Sequence, residues 1–136
     1  MALPRASTKF EAKDCTVTIT PMREGCALVT LEGRDRGAFG REPFAELERS
    51  FSAAHRLTLF IDLEAAVGAS LDVSGSWALW LRANRQNLEG VNMLTGSFFV
   101  ELSAQAVKRF SDLGEKVRLY TDRAAFEAAL QAKAGA

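Results

Sequence analysis

Histidine is nearly missing from this 136-residue chain, which has one, and cysteine is scarce, with two. The sequence contains neither a CxxC pair nor a cluster of histidines. That removes the usual donor sets for zinc and other transition metals, along with the disulfide framework of small secreted domains. No metal or cofactor is expected. Net charge is lacking too, since lysine plus arginine and aspartate plus glutamate number 17 each. Without an overall field, nothing draws the chain to nucleic acid or to an anionic membrane surface, and nucleic acid is not an expected partner. No run approaches the roughly 18 to 20 apolar residues that cross a bilayer, and the opening MALPRASTKFEAKDC lacks the apolar heart of a secretory signal. These absences predict a cytoplasmic protein without a transmembrane segment.

Apolar residues are plentiful, at 48% of the chain, enough at this length for one core that folds without staples. Residues 1–136 read as one domain, with 1–8 a loose lead-in and 131–136 a frayed tail. The organising stretch is 57–85, LTLFIDLEAAVGASLDVSGSWALWLRANR. Leu57, Leu59, Phe60 and Ile61 leave almost no polar alternation, the pattern of a strand covered on both faces, and this strand is expected to end at Asp62. A small-residue loop over 64–71 follows, and Asp72 is placed to cap the next helix by accepting a free amide proton. Val73, Trp77, Trp80, Leu81 and Leu88 mark the buried stripe of that helix, ended by Asn87, Glu89 and Gly90. Two tryptophans one turn apart suit core packing, or the walls of a pocket.

On the N-terminal side, CTVTIT (15–20) and CALVTL (26–31) alternate as half-buried strands around the turn PMREG, giving an antiparallel hairpin. In that hairpin Cys15 and Cys26 lie too far apart to bridge, so both read as reduced thiols. EGRDRGAFG (32–40) carries three glycines and reads as a loop. A helix then starts near Pro43, with Phe44, Leu47, Phe51 and Ala54 as its apolar stripe and His55 at its exit. Farther on, VNML (91–94) is a short strand. Phe99, Leu102, Ala106, Phe110 and Leu113 step by three, four, four and three, which predicts a helix over 98–113 closed by Gly114. KVRLY (116–120) is the last strand. Thr121 or Asp122 caps a last helix whose Ala125, Phe126, Ala129 and Leu130 face inward. The order is ββαβαβαβα: an α/β fold with an N-terminal β-hairpin joined to a mixed, largely parallel sheet and about four helices.

With that order in place, the stretch from Cys26 to Leu130 resembles a STAS domain, the fold of bacterial anti-sigma factor antagonists, and in particular its SpoIIAA-like branch, sometimes grouped with Sec14-type lipid-binding domains. Three segments carry the resemblance. LTLFIDLEAAVGASLDVSG is similar to the family's apolar strand followed by a D-S-S/T-G loop at a helix start. LSAQAVKRFSDLG is similar to the family's third helix, and KVRLYTDRAAFEAAL to its closing strand and helix. The resemblance implies a regulatory module that binds a protein partner, an anti-sigma factor, a kinase-like protein or another protein of a STAS system. In phospho-regulated members the acceptor serine directly follows the loop aspartate. Here that position is Val73, which cannot accept a phosphoryl group, and Ser74 is the remaining candidate acceptor.

Three classes of function follow. The first is a non-catalytic adaptor docking a protein through Asp72, Val73, Ser74, Gly75 and Ser76, with the adjoining helix and the glycine-rich loop. The second is a carrier of a lipid or small apolar molecule, with Trp77, Trp80, Phe98 and Phe99 as pocket walls. The third, an enzyme, is disfavoured, because no nucleophile, base and orienting acid can be assembled from the motifs, nor any phosphate-cradling loop. Homo-oligomerisation is left open.

Overall fold

The computed structural model describes residues 6–135. Its elements are β1 (Thr8–Glu11), β2 (Cys15–Arg23), β3 (Cys26–Asp35), α1 (Glu42–Glu48), β4 (Leu57–Leu63), β5 (Ala66–Ala69), α2 (Leu71–Ala83), β6 (Leu88–Thr95), α3 (Phe98–Ser111), β7 (Val117–Tyr120) and α4 (Arg123–Ala134). The sheet order is β1-β2-β3-β4-β6-β7, with β5 pairing β3 beyond the end of β4. The first three strands are antiparallel neighbours, while β3, β4, β6 and β7 run parallel. This is the mixed α/β arrangement the sequence predicts. Each parallel pair needs a crossover, and helices supply them.

Two apolar cores flank the sheet. On one face Val17, Ile19, Val29, Leu59, Ile61, Val91 and Met93 lie beneath α1, α2 and α3. On the other, Cys26, Phe60 and Leu94 meet Phe126 of α4. Phe126 packs edge-on against Phe60 at 5.7 Å and against Tyr120 at 5.8 Å. Arg123, in the first turn of α4, donates to Asp62 at 2.8 Å, to Glu64 at 2.8 Å and to Glu127 at 2.9 Å. A cation at a helix N-terminus opposes the dipole. Its hydrogen bonds to three carboxylates, Asp62 foremost, hold this guanidinium protonated even more firmly than usual.

Several boundaries differ from expectation, each for a local reason. Of the expected lead-in, residues 1–5 lie outside the described residues, and Thr8 is already paired with Ile19 in the sheet. Pro21 sits inside β2 at an irregularity in the register, and the turn is made by Glu24 and Gly25, the latter at φ 82°. β3 does not stop at Leu31 but continues to Asp35, so the loop opens only at Arg36. The expected loop over 64–71 contains β5, which catches the extension of β3. α1 ends at Glu48, leaving Phe51 and Ala54 beyond it; Phe51 still packs on the core, whereas Ala54 is exposed. α2 ends at Ala83, so Leu88 is the buried first residue of β6 and not a helical one.

The helix after Ser97 is present as expected, and of the five residues whose spacing predicts it all but Leu113 face outward. Val100, Ala104, Val107 and Ser111 are buried, whereas Phe99, Leu102, Ala106 and Phe110 are exposed. Asp112, in the left-handed region at φ 61°, closes it instead of Gly114. Asp122 caps α4 by accepting the Ala124 amide at 3.2 Å. Ala125 is exposed and not inward, and the helix continues to Ala134 where a frayed tail is expected.

Gly33 marks where β3 leaves β4 for β5. It sits at φ 83°, and a Cβ there would collide with the carbonyl oxygen of Asp14. That same carbonyl accepts the Arg34 amide at 2.9 Å, and the Gly33 amide donates to Ala65 at 3.1 Å. Gly33→Ala is expected to lower stability by more than about 1 kcal/mol, because strain and backbone displacement act together. Urea denaturation with an unchanged m-value would confirm it, and a change within error would refute it.

Candidate functional site

The residues expected to form a docking loop, Asp72, Val73, Ser74, Gly75 and Ser76, are the first turns of α2 itself. The helix begins at Leu71, and its cap is Ser70, whose hydroxyl accepts the Val73 amide at 3.1 Å. Asp72 is therefore not the cap. It is an exposed anion in the first turn, favoured there only by the dipole. Val73 is buried, Ser74 is half-buried, and Gly75 and Ser76 are exposed. The outer side of this turn, with Asp72 and Ser76, borders an open groove against the loop holding Gly37, Gly40 and Arg41.

The four aromatic residues expected to wall one pocket separate into two groups. Trp80 stacks on Phe44 at 5.5 Å and on Phe51 at 5.9 Å, and its indole N–H donates to Glu48 Oε2 at 3.2 Å. Trp77 meets Phe44 edge-on at 4.8 Å. These contacts fasten the α1 segment to α2. Phe98 and Phe99 are elsewhere, paired with each other at 6.3 Å on the outer surface of α3 and 69% and 77% exposed. They form no wall with the tryptophans.

A different cavity lies beneath α2. It measures about 70 Å³ and is bounded below by Val29, Ile61 and Met93, at the side by Ala66, Gly68 and Ala69 of β5, and above by Val73, Trp77 and Ala104. The polar side-chain groups among its lining residues are the hydroxyls of Ser74 and Ser103 and the indole N–H of Trp77, and Ser103 donates to the Phe99 carbonyl at 3.3 Å. Sequence reasoning missed the cavity because the wall is assembled from six elements, spread along the chain from β3 to α3. The small-residue run AAVGAS was the one available signal.

Neither cysteine is set up for chemistry. Burial, reinforced by the negative charge of Asp35, pushes the Cys15 thiol up to about 11. Burial also raises Cys26, against the opposing charges of Lys133 and Arg23. Both remain unpaired and buried. His55 is exposed at the surface, 4.0 Å from Glu24. Among the described residues, no three of His, Cys, Asp and Glu gather where a metal ion would sit. Nor is any of their helices long and apolar enough to cross a membrane.

By sequence, no family model matches the chain and no curated protein matches it. By structure it is similar to a DUF3478-family protein with a SpoIIAA-like fold from Shewanella loihica PV-4. That likeness has a TM-score of 0.59 at 12% identity over 96% of this chain and 97% of the other. The fold is SpoIIAA-like. An anti-sigma factor antagonist from Mycobacterium paratuberculosis matches with TM-score 0.59 and 15% identity, over 90% of this chain and 99% of its own. The antagonist SpoIIAA in its unphosphorylated form matches with TM-score 0.54 and 18% identity, over 83% and 95%. At such identities the shared property is the SpoIIAA-like fold, that of a STAS domain, and residue roles have to be argued from this chain.

The corrected cap gives a direct test. Ser70→Ala is expected to cost about 1 kcal/mol, within the roughly 0.5 to 2 kcal/mol of an N-cap, while Asp72→Ala should change stability by no more than about 0.5 kcal/mol. Paired denaturation curves in which Asp72→Ala proved the more damaging would reverse the assignment.

Proposed function

We propose that this chain is a non-catalytic regulatory module that binds a protein partner through the outer faces of α2 and α3. The observation that carries the reading is the apolar stripe of α3. Phe99, Leu102, Ala106 and Phe110 follow one another at helical spacing along about 16 Å of helix, all exposed, with Phe98 beside them. On α2, Leu71 is 92% exposed, and Leu79 is exposed as well. Contiguous exposed aromatic and aliphatic side chains on a folded chain mark association surfaces. The anti-sigma factor antagonists that share the fold support a protein as the occupant, an anti-sigma factor or a kinase-like regulator.

In this reading the partner is held by shape and apolar contact, without a phosphorylation switch. Val73 has no hydroxyl and faces the core. Ser74 lies partly on the wall of an apolar cavity, where a phosphate would have to be desolvated, with the Asp72 carboxylate two residues away in the same turn. A lipid carrier is disfavoured by size, since about 70 Å³ is half of the ~150 Å³ apolar cavity that accommodates benzene.

The test begins with affinity purification of the native protein, identification of protein and lipid co-purifiers, and calorimetry with the purified partner. Phe99→Asp and Phe110→Asp should each weaken binding at least tenfold, or about 1.4 kcal/mol, with melting temperature unchanged. Ser74→Ala should leave affinity unchanged, and incubation with ATP and an anti-sigma kinase from the same host should add no mass. Stoichiometric phosphate on Ser74 together with a tenfold affinity change in Ser74→Ala would sink the proposal. So would a co-purified lipid with no protein partner.

A further inference from the structure

The cavity under α2 has the character of a ligand site, and the geometry points to a small, uncharged, apolar molecule of a few carbon atoms as its occupant. The inference is independent of the protein-docking proposal. Its floor is the middle of the parallel sheet, Val29, Ile61 and Met93, and its roof is Trp77 and Ala104. Protein interiors are packed as densely as organic crystals, so a void of about 70 Å³ between two well-formed layers is a departure from the norm. Water is a poor filler here. A buried water makes about three hydrogen bonds, and the lining side chains offer two hydroxyls and the Trp77 indole N–H on an otherwise apolar wall, with Ser103 already bonded to the Phe99 carbonyl.

An apolar guest recovers the dispersion contacts the lining lacks, without desolvating a polar group of its own. The Ser74 hydroxyl, which makes no side-chain hydrogen bond among the described residues, accommodates one alcohol group on that guest. A charged group has no counterion on the wall and is rejected. The half-buried Gly68, Ala69, Ser74 and Ser103 form the rim between β5 and the two helices, which makes this the side of entry. β5 is suited to yield there, because its four residues pair only with the end of β3. The guest would therefore sit between the sheet and both helices that carry the exposed apolar surface.

The probes are xenon, 1-butanol and butyrate, the last two sharing a four-carbon chain and differing in charge. In ¹⁵N-labelled full-length protein, xenon and 1-butanol should shift the amides of Ala69, Ser74 and Ala104 saturably and change Trp77 fluorescence, while butyrate at equal concentration does neither. Ala104→Leu fills the roof and should weaken 1-butanol at least tenfold. Met93→Ala enlarges the floor and should strengthen xenon binding severalfold. Should Ala104→Leu fail to fold, Met93→Ala decides alone. Shifts that do not saturate, that are confined to Phe98, Phe99 and Phe110, or that are unchanged in the altered cavity overturn the assignment, as would equal binding of butyrate.

Discussion

Because β4 is hydrogen-bonded to β3 on one side and β6 on the other, its side chains can only leave the sheet upward or downward, and on each face it carries large buried apolar residues. Leu57, Leu59 and Ile61 enter the larger core and Phe60 the smaller one. Covering both faces of one strand requires helices on both sides, and the chain divides them three to one. α4, the lone helix on its side, rests on little besides Phe126 and the half-buried residues that follow it. The Arg123 contacts with Asp62 and Glu64 fix where its first turn lies relative to the end of β4. Arg123 is 39% exposed, so these pairs set position more than they add stability.

The central strand was legible because its pattern needs no knowledge of its neighbours. Four large apolar residues in five positions fit a doubly covered strand and little else at that length. β5 was illegible for the opposite reason. Apart from Val67, its residues Ala66, Gly68 and Ala69 have poor strand propensity, and the segment is extended because β3 outruns β4 and leaves an edge to pair. The same excess length of β3 carried it through Gly33, which reads locally as a breaker. For the helix start, Ser70 and Asp72 are both good caps, and only Leu71 separates them. The choice between them depends on where β5 releases the chain.

The face of α3 shows what periodicity can and cannot decide. Two stripes share this helix: Phe99, Leu102, Ala106 and Phe110 at spacings of three, four and four, and Val100, Ala104, Val107 and Ser111 at four, three and four. Either one proves a helix. Ranking them by hydrophobicity selects the first, because phenylalanine outweighs alanine and serine. The fold selects the second, since α3 packs against both α2 and the sheet, where small residues permit close approach. The small inner stripe and the empty space beneath α2 are thus related. Ala104 and Ser103 bring α3 near its neighbours and are too short to fill the volume between them.

The large outer stripe then has no folding role to explain it, and its energetics constrain what it can do. Burying a side chain of the phenylalanine or leucine class is worth roughly 1.5 to 3 kcal/mol, and association costs an estimated 4 to 15 kcal/mol in lost freedom. The exposed Phe98, Phe99, Leu102 and Phe110 together supply an amount comparable with that cost and not far above it. The stripe alone would therefore support only weak association. A specific complex has to recruit polar contacts around it, and the groups available are those of α2 and the ends of α3. Asp72 and Ser76 lie toward the groove, and Lys108 and Arg109 are in the last turn of α3. The Asp72 charge is opposite in sign to those of Lys108 and Arg109, and a partner with complementary charges would gain an orientation as well as an attachment.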